Sequence, residues 1–143
     1  MNELILLVEN GPEEEPLVRR IVDRYGSHKV KVAHDGAEAL DVVFGTETHP
    51  GVGMRVSPHL VLLGLTPREA DHRKVLQRMR SDPRARLIPV VIFSSSTSEK
   101  DKLECYALGA NSYIRKPADF QMLCDTLEQV CSYWMGINQL PLL

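Results

Sequence analysis

The sequence predicts an α/β fold, a parallel sheet with helices on both faces. Three observations predict it. Apolar runs of strand length at Leu4–Val8, Leu60–Leu63 and Ile88–Phe93 have no polar face, as expected of strands covered on both sides. Between them lie segments whose apolar residues recur at helical spacing. Strand-like and helix-like segments alternate five times, without internal repeat or low-complexity linker, an order that calls for parallel strands joined by helical crossovers. The 143 residues fit a single domain, 1–143, with 136–143 as a C-terminal tail.

Each element follows in order. Leu4–Val8 is the first buried strand. The next helix carries Leu17, Val18, Ile21, Val22 and Tyr25 on one stripe. Glu13, Glu14 and Glu15 stand where a helix N-terminus favours negative charge. Pro16 falls in the first turn and Gly26 can end the helix. Val30 and Val32 alternate with lysines, a half-exposed strand. Asp35 can cap a short helix made by Ala37, Leu40, Val43 and Phe44. Thr46 to Pro58, with two prolines and two glycines, reads as a loop leading to the central strand at Leu60. Val75, Leu76 and Met79 mark a helix with many basic residues outward. After the strand at Ile88–Phe93, the serine-rich SSSTS caps a helix over Glu99–Leu108 that Gly109 closes. Ser112–Arg115 is a short strand. Phe120, Leu123, Leu127, Val130 and Trp134 form the stripe of a long last helix.

Composition narrows the function classes. Hydrophobic residues make up 43% and charged residues 25% of the chain, with a net charge of −2. Nothing in the bulk charge favours a nucleic-acid or membrane partner, and no apolar run reaches membrane-spanning length. The N-terminus lacks a basic region and cleavage site, so a cytoplasmic protein is expected. Cys105, Cys124 and Cys131 form no CxxC pair and no disulfide framework. The five histidines have no metal-ligand spacing. There is no Walker loop and no GxSxG elbow. GVGMRV at Gly51 follows a proline-rich loop, not a strand, and reads as loop chemistry. The chain is therefore not expected to be an enzyme.

In a sheet of this kind the site lies beyond the carboxyl ends of the central strands. Here those ends carry Glu9 and Asn10, Gly64, Ser94 and Ser95, and Lys116 with Pro117. Together with LILLVEN, HDGAEAL, LVLLGL, PVVIFSSS and GANSYIRKPADF, they resemble the receiver domain of two-component response regulators, the CheY-like family. The resemblance runs over almost the whole chain. The last of these segments, and the SYW near the end of the final helix, are similar to the small single-domain regulators that partner bacterial and cyanobacterial phytochromes.

The resemblance implies a flavodoxin-like, doubly wound (βα)5 receiver fold with strand order 2-1-3-4-5. It also implies a phosphorylation switch. In the family an aspartate ending the third strand takes a phosphoryl group from a sensor kinase histidine. Two acids after the first strand bind Mg²⁺ with it. A Ser or Thr ending the fourth strand and a Lys ending the fifth hold the phosphoryl oxygens, and an aromatic residue on the fifth strand reports the state. Glu9 matches the first acid, Ser94 the hydroxyl, Lys116 the lysine and Tyr113 the aromatic. Asn10 stands in place of the second acid and Gly64 in place of the phospho-acceptor. Lys116–Pro117 matches a bond that is usually cis in the family. The loop after Gly64 departs as well, with Arg68 and His72 where Pro and Gly are common, and with Pro67 one residue early.

Glycine has no nucleophile, so no acyl phosphate can form at Gly64. Glu9, a neutral Asn10 and the Thr66 carbonyl make a poor Mg²⁺ site, expected to be lost or weak and to rest on Glu9. No cofactor is expected. Lys116, without its usual partner, is expected either to turn to Glu9 or to lie solvated at the rim. Without a phosphoryl group to pull Ser94, a fixed orientation of Tyr113 is favoured. Met122, Tyr133 and Ile137 add apolar surface to the last helix, and Leu140, Leu142 and Leu143 extend it. The phytochrome-partner subgroup is similar in using its fourth helix, fifth strand and fifth helix as a dimer face, so a homodimer through Tyr113, Met122, Tyr133 and Ile137 is expected. The reading is an atypical receiver that binds a sensor histidine kinase or a bacteriophytochrome without phosphoryl chemistry. No output domain follows, which speaks against DNA binding in this chain. Three alternatives stand beside it. One is a receiver with another acceptor. Another is a small-anion or nucleotide sensor in the volume beside Gly64. The third is a purely structural dimer module.

Overall fold

The computed structural model describes residues 4–9, 13–25, 29–45, 58–64 and 71–141. Five parallel strands form one sheet in the order β2-β1-β3-β4-β5. They are β1 (Leu4–Val8), β2 (Lys29–Ala33), β3 (Pro58–Leu63), β4 (Val90–Ser94) and β5 (Ser112–Arg115). The helices are α1 (Glu14–Asp23), α2 (Gly36–Phe44), α3 (Asp71–Ser81), α4 (Glu99–Ala107) and α5 (Phe120–Cys131), the last running into a π-helical turn over Ser132–Ile137.

The side-chain alternation of the strands divides the core in two. Leu6, Val8, Val61, Leu63, Val90 and Ile92 face α2, α3 and Cys105 of α4. Ile5, Leu7, Leu60, Leu62, Val91 and Phe93 face α1 and α5. The strands that read as apolar throughout are therefore those buried on both faces, while β2, at the edge, keeps its lysines exposed. Parallel strands joined by crossovers that cover both faces leave their carboxyl ends at one rim, where Val8 pairs with Ala33 and with Leu63.

Local chemistry sets the helix starts. Asp35, Ser98 and Asp119 each accept a hydrogen bond from the backbone N–H three residues on, at 2.8, 3.3 and 2.9 Å. Gly109 closes the α4 segment at φ +107, a left-handed conformation that glycine alone adopts without strain. Arg80 Cγ lies 2.6 Å from where a Gly109 side chain would start. That arginine joins α3 to the β4 and β5 starts. It donates to the carbonyls of Gly109, Arg86 and Ile88 and to Asn111 Oδ1 at 2.7–3.0 Å.

Several expectations are corrected. The central strand starts at Pro58, not Leu60; proline is tolerated at the first residue of a strand. The fourth strand starts at Val90, after Pro89. In α2 the buried residues are Gly36, Ala39, Val42 and Val43, while Ala37 is exposed and Leu40 and Phe44 are only half-buried. The Phe44 ring instead lies under the Arg78 guanidinium, 4.3 Å from its centroid. Phe120 leaves the stripe of the last helix: it is exposed, at the helix start, whereas Leu123, Leu127 and Val130 are buried. Gly26, the loop 46–57, Leu142 and Leu143 lie outside the described residues.

Candidate functional site

The strand-end rim brings together Glu9, Gly64, Ser94 and Lys116, as the sequence implies. Glu9 directly follows β1, is 5% exposed, and its N–H donates to Ala33 O at 3.0 Å. Gly64 directly follows β3, and its N–H donates to Val8 O at 2.6 Å. A Cβ built on Gly64 would stand 2.9 Å from that same oxygen. The ends of β1 and β3 have therefore closed into the space a side chain would need. Because Gly64 has no positive φ, the obstacle is space and not backbone conformation. On the β1 side a Gly64 Cβ would meet the Val8 carbonyl, so a side chain here requires the strand ends to shift.

Ser94 is buried, and its hydroxyl is turned to its own loop, accepting from Ser96 N–H at 3.1 Å. Ser96 in turn donates through Oγ to Asp101 Oδ2 at 2.7 Å. The Tyr113 hydroxyl donates to Ser96 O at 3.2 Å, and its backbone N–H donates to Tyr106 Oη at 3.2 Å. The segment after β4 is held by this relay, and Tyr113 is pinned to it.

Lys116 is the main correction. Its backbone N–H donates to Ser94 O at 2.7 Å. Its ammonium turns not to Glu9 but to α1, where it contacts Glu14 and lies 3.3 Å from Glu13 Oε2. At Glu14, in the first turn of α1, the ammonium also reaches the neighbouring Glu13 carboxylate, so it meets two carboxylates there. The Lys116–Pro117 bond is not cis; trans is the intrinsically favoured isomer even before proline. Asn10 and Thr66, the other expected members of the pocket, lie outside the described residues.

The electrostatics follow from this geometry. Burial pushes the Glu9 carboxyl up to about 7, helped by a hydrogen bond with Glu14 and by the charges of Glu14 and Glu15; Lys116 acts in the opposite sense. Glu9 Oε2 and Glu14 Oε2 are buried without a donor. A proton on Glu9, donated to its neighbour, relieves that deficit. Burial alone would lower the Lys116 pKa, but its bonds with Glu14 and Glu13 outweigh it and hold the ammonium above its usual range. Among the described residues no group of three or more His, Cys, Asp or Glu is placed to hold a metal ion. Sequence reasoning missed Glu14 as a site residue, having read the EEE run as charge favoured at a helix N-terminus.

A second feature lies along β5, α4 and α5. Met122, Tyr133 and Ile137 are exposed, as the sequence implies, and so are Leu103 and Tyr106 of α4. Ile114, Thr126, Gln129, Val130, Tyr133 and Trp134 line a cleft of about 340 Å³ beside them. Among the described residues no helix is long and apolar enough to cross a membrane.

Comparison with known proteins agrees with this geometry. The model of the response regulator receiver domain matches residues 5–128. The probable methanogenesis regulatory protein FilR2 of Methanothrix harundinacea is 37% identical over 96% of this chain and 87% of its own. The response regulator Rcp1 of Synechocystis is 27% identical over 97% of this chain and 93% of its own. The Mn²⁺-bound form of Rcp1 superposes with a TM-score of 0.87 over 98% of this chain and 99% of that one. The phosphorylated cyanobacterial phytochrome response regulator RcpA, 29% identical, gives 0.86 over 99% and 100%.

Proposed function

The chain belongs to the response regulator receiver domain family, and on that premise we propose that it is an atypical receiver of the cytoplasm, a non-enzymatic binding module that signals without a phosphoryl group at the end of β3. Gly64 carries the reading. An acyl phosphate needs a carboxylate oxygen as nucleophile, and Gly64 supplies none. The close approach of Val8 O supports a further point. The strand ends lie close where the side chain is missing, which argues against a phosphoryl-bearing residue at this position.

The β4–α4 relay supports the same conclusion. In a switching receiver the hydroxyl after β4 must be free to follow the phosphoryl oxygens. Here Ser94 serves Ser96 N–H, and Tyr113 is bonded to Ser96 O. The face of α4, β5 and α5 is thereby presented in one arrangement. Its exposed Tyr133, Met122 and Ile137 are the apolar surface through which the chain forms a homodimer. The likeness to regulators named for phytochromes favours a sensor histidine kinase or bacteriophytochrome as the larger partner.

Sedimentation of the full chain at micromolar concentration, with and without Mg²⁺ and acetyl phosphate, tests this reading. A dimer whose dissociation constant is the same in both conditions is expected. A monomer, or a dimer that forms only with acetyl phosphate, refutes it.

A further inference from the structure

A receiver of ordinary sequence would hold Mg²⁺ at this rim. Mg²⁺ needs only one or two carboxylates if waters complete the octahedron, and Glu9 and Glu14 are both here. The number of ligands is therefore not the obstacle. The obstacle is charge. Lys116 already stands on Glu14 and Glu13, and a divalent ion on the inner carboxylate would meet an ammonium. While Lys116 keeps that position, the described residues of the rim do not fit the metal.

We infer that Lys116 takes the place of the metal, its ammonium tying the end of β5 to the first turn of α1 so that the rim stays closed without a divalent ion. Two features separate this contact from a surface ion pair of little consequence. Its inner partner, Glu14, is buried, with a side chain 7% exposed. Its backbone is also fixed, since Lys116 N–H is bonded to Ser94 O. Through its backbone N–H and its ammonium, Lys116 thus joins three elements, the β4 end, the β5 end and the α1 start, which lie 103 residues apart along the chain at the widest pair. A metal bridging β1 and β3 does comparable work in a phosphorylating site, but it can leave. A lysine is part of the chain, so closure of this rim does not depend on metal concentration.

The inference rests on the reading of this rim as lacking phosphoryl chemistry. Its readouts are metal occupancy and stability, so it can fail while the mass of the protein after acetyl phosphate is unchanged, and the converse. The experiment titrates Mn²⁺ into the full chain and follows free Mn²⁺ by electron paramagnetic resonance, with Tm measured in parallel with and without Mg²⁺. Wild type is expected to leave the Mn²⁺ signal unchanged at low millimolar concentration and to show no Tm response. Lys116→Met is expected to melt lower and to bind Mn²⁺ at least about tenfold more tightly, the effect of removing one like charge from a partly buried site. Glu14→Gln, which keeps the ammonium but removes its inner partner, is expected to melt lower and stay blind to metal. Wild-type binding of Mn²⁺ in the micromolar range overturns the inference. So does a Lys116→Met protein that gains no Mn²⁺ affinity, whatever its Tm. Should Lys116→Met not fold, the wild-type titration and Glu14→Gln decide, and an unchanged Tm in Glu14→Gln overturns it.

Discussion

Replacing Gly64 by alanine puts one methyl group into the closed rim. The new carbon would start 2.9 Å from Val8 O, with Phe93 O at 3.7 Å and Glu9 Cα at 3.9 Å. Ordinary contact begins near 3.4 Å, so the ends of β1 and β3 must part by about 0.5 Å. Val8 O cannot swing aside as a flexible side chain would. It is backbone, and it already accepts the 2.6 Å bond from Gly64 N–H. Overpacking of this kind costs about 1–3 kcal/mol. Alanine returns about 0.4–1 kcal/mol by narrowing the unfolded ensemble, since the Gly64 backbone is one an L-residue can adopt. The net expectation is a loss of about 1–2 kcal/mol, or roughly 4–8 °C in Tm for a domain of this size. Urea unfolding and a thermal scan of both proteins measure it. A Gly64→Ala protein as stable as wild type, or more so, would refute the claim that the rim has closed around the missing side chain.

Other expectations follow from the same geometry. Glu9 holds its proton up to about pH 7 in the folded state, well above its range in the unfolded chain. The native state therefore binds more protons than the unfolded one between about pH 4.5 and 7, and stability falls as pH rises through that window. The loss should be on the order of 1–3 kcal/mol in urea titrations at the two ends, and Glu9→Gln should flatten it; a slope that survives in the variant would assign it elsewhere. Arg80→Met takes a donor from three carbonyls and from Asn111 Oδ1, which keeps Val90 N–H, at the junction of α3 with the β4 and β5 starts, with an expected cost of about 2–4 kcal/mol by urea unfolding; a loss below about 0.5 kcal/mol counts against that role. Ile137→Asp places a charge in the proposed dimer face, where the native side chain is 65% exposed. It should weaken self-association at least about tenfold in sedimentation while leaving Tm of the dilute protein within a few degrees.

The sequence shows the architecture clearly because strands covered on both faces must be apolar throughout, and Leu60–Leu63 and the run ending at Phe93 are. The strand ends follow from the architecture, and with them the position of Gly64. What stays hidden depends on contacts distant in sequence. Glu14 sits in a run of three glutamates that reads as favourable charge at a helix start. Its contact with Lys116 joins residues far apart in the chain. The α2 face is ambiguous because Gly36, Ala39, Val42 and Val43 form one stripe and Ala37, Leu40 and Phe44 another. Only the arginines that settle over Phe44 decide between them. Phe120 fits the period of α5, but as the first residue of that helix it extends the stripe beyond the part that is buried. The hydroxyl relay from Ser94 to Asp101 is carried by side-chain rotamers that no spacing encodes.

The most direct test is intact mass of the full chain after incubation with Mg²⁺ and acetyl phosphate. A receiver whose β3 ends in Gly64 should show no gain at any time, with unlabelled protein recovered whole. A stoichiometric gain of one phosphoryl group, stable to desalting, would mean that another side chain is the acceptor, and that this receiver signals by phosphorylation after all.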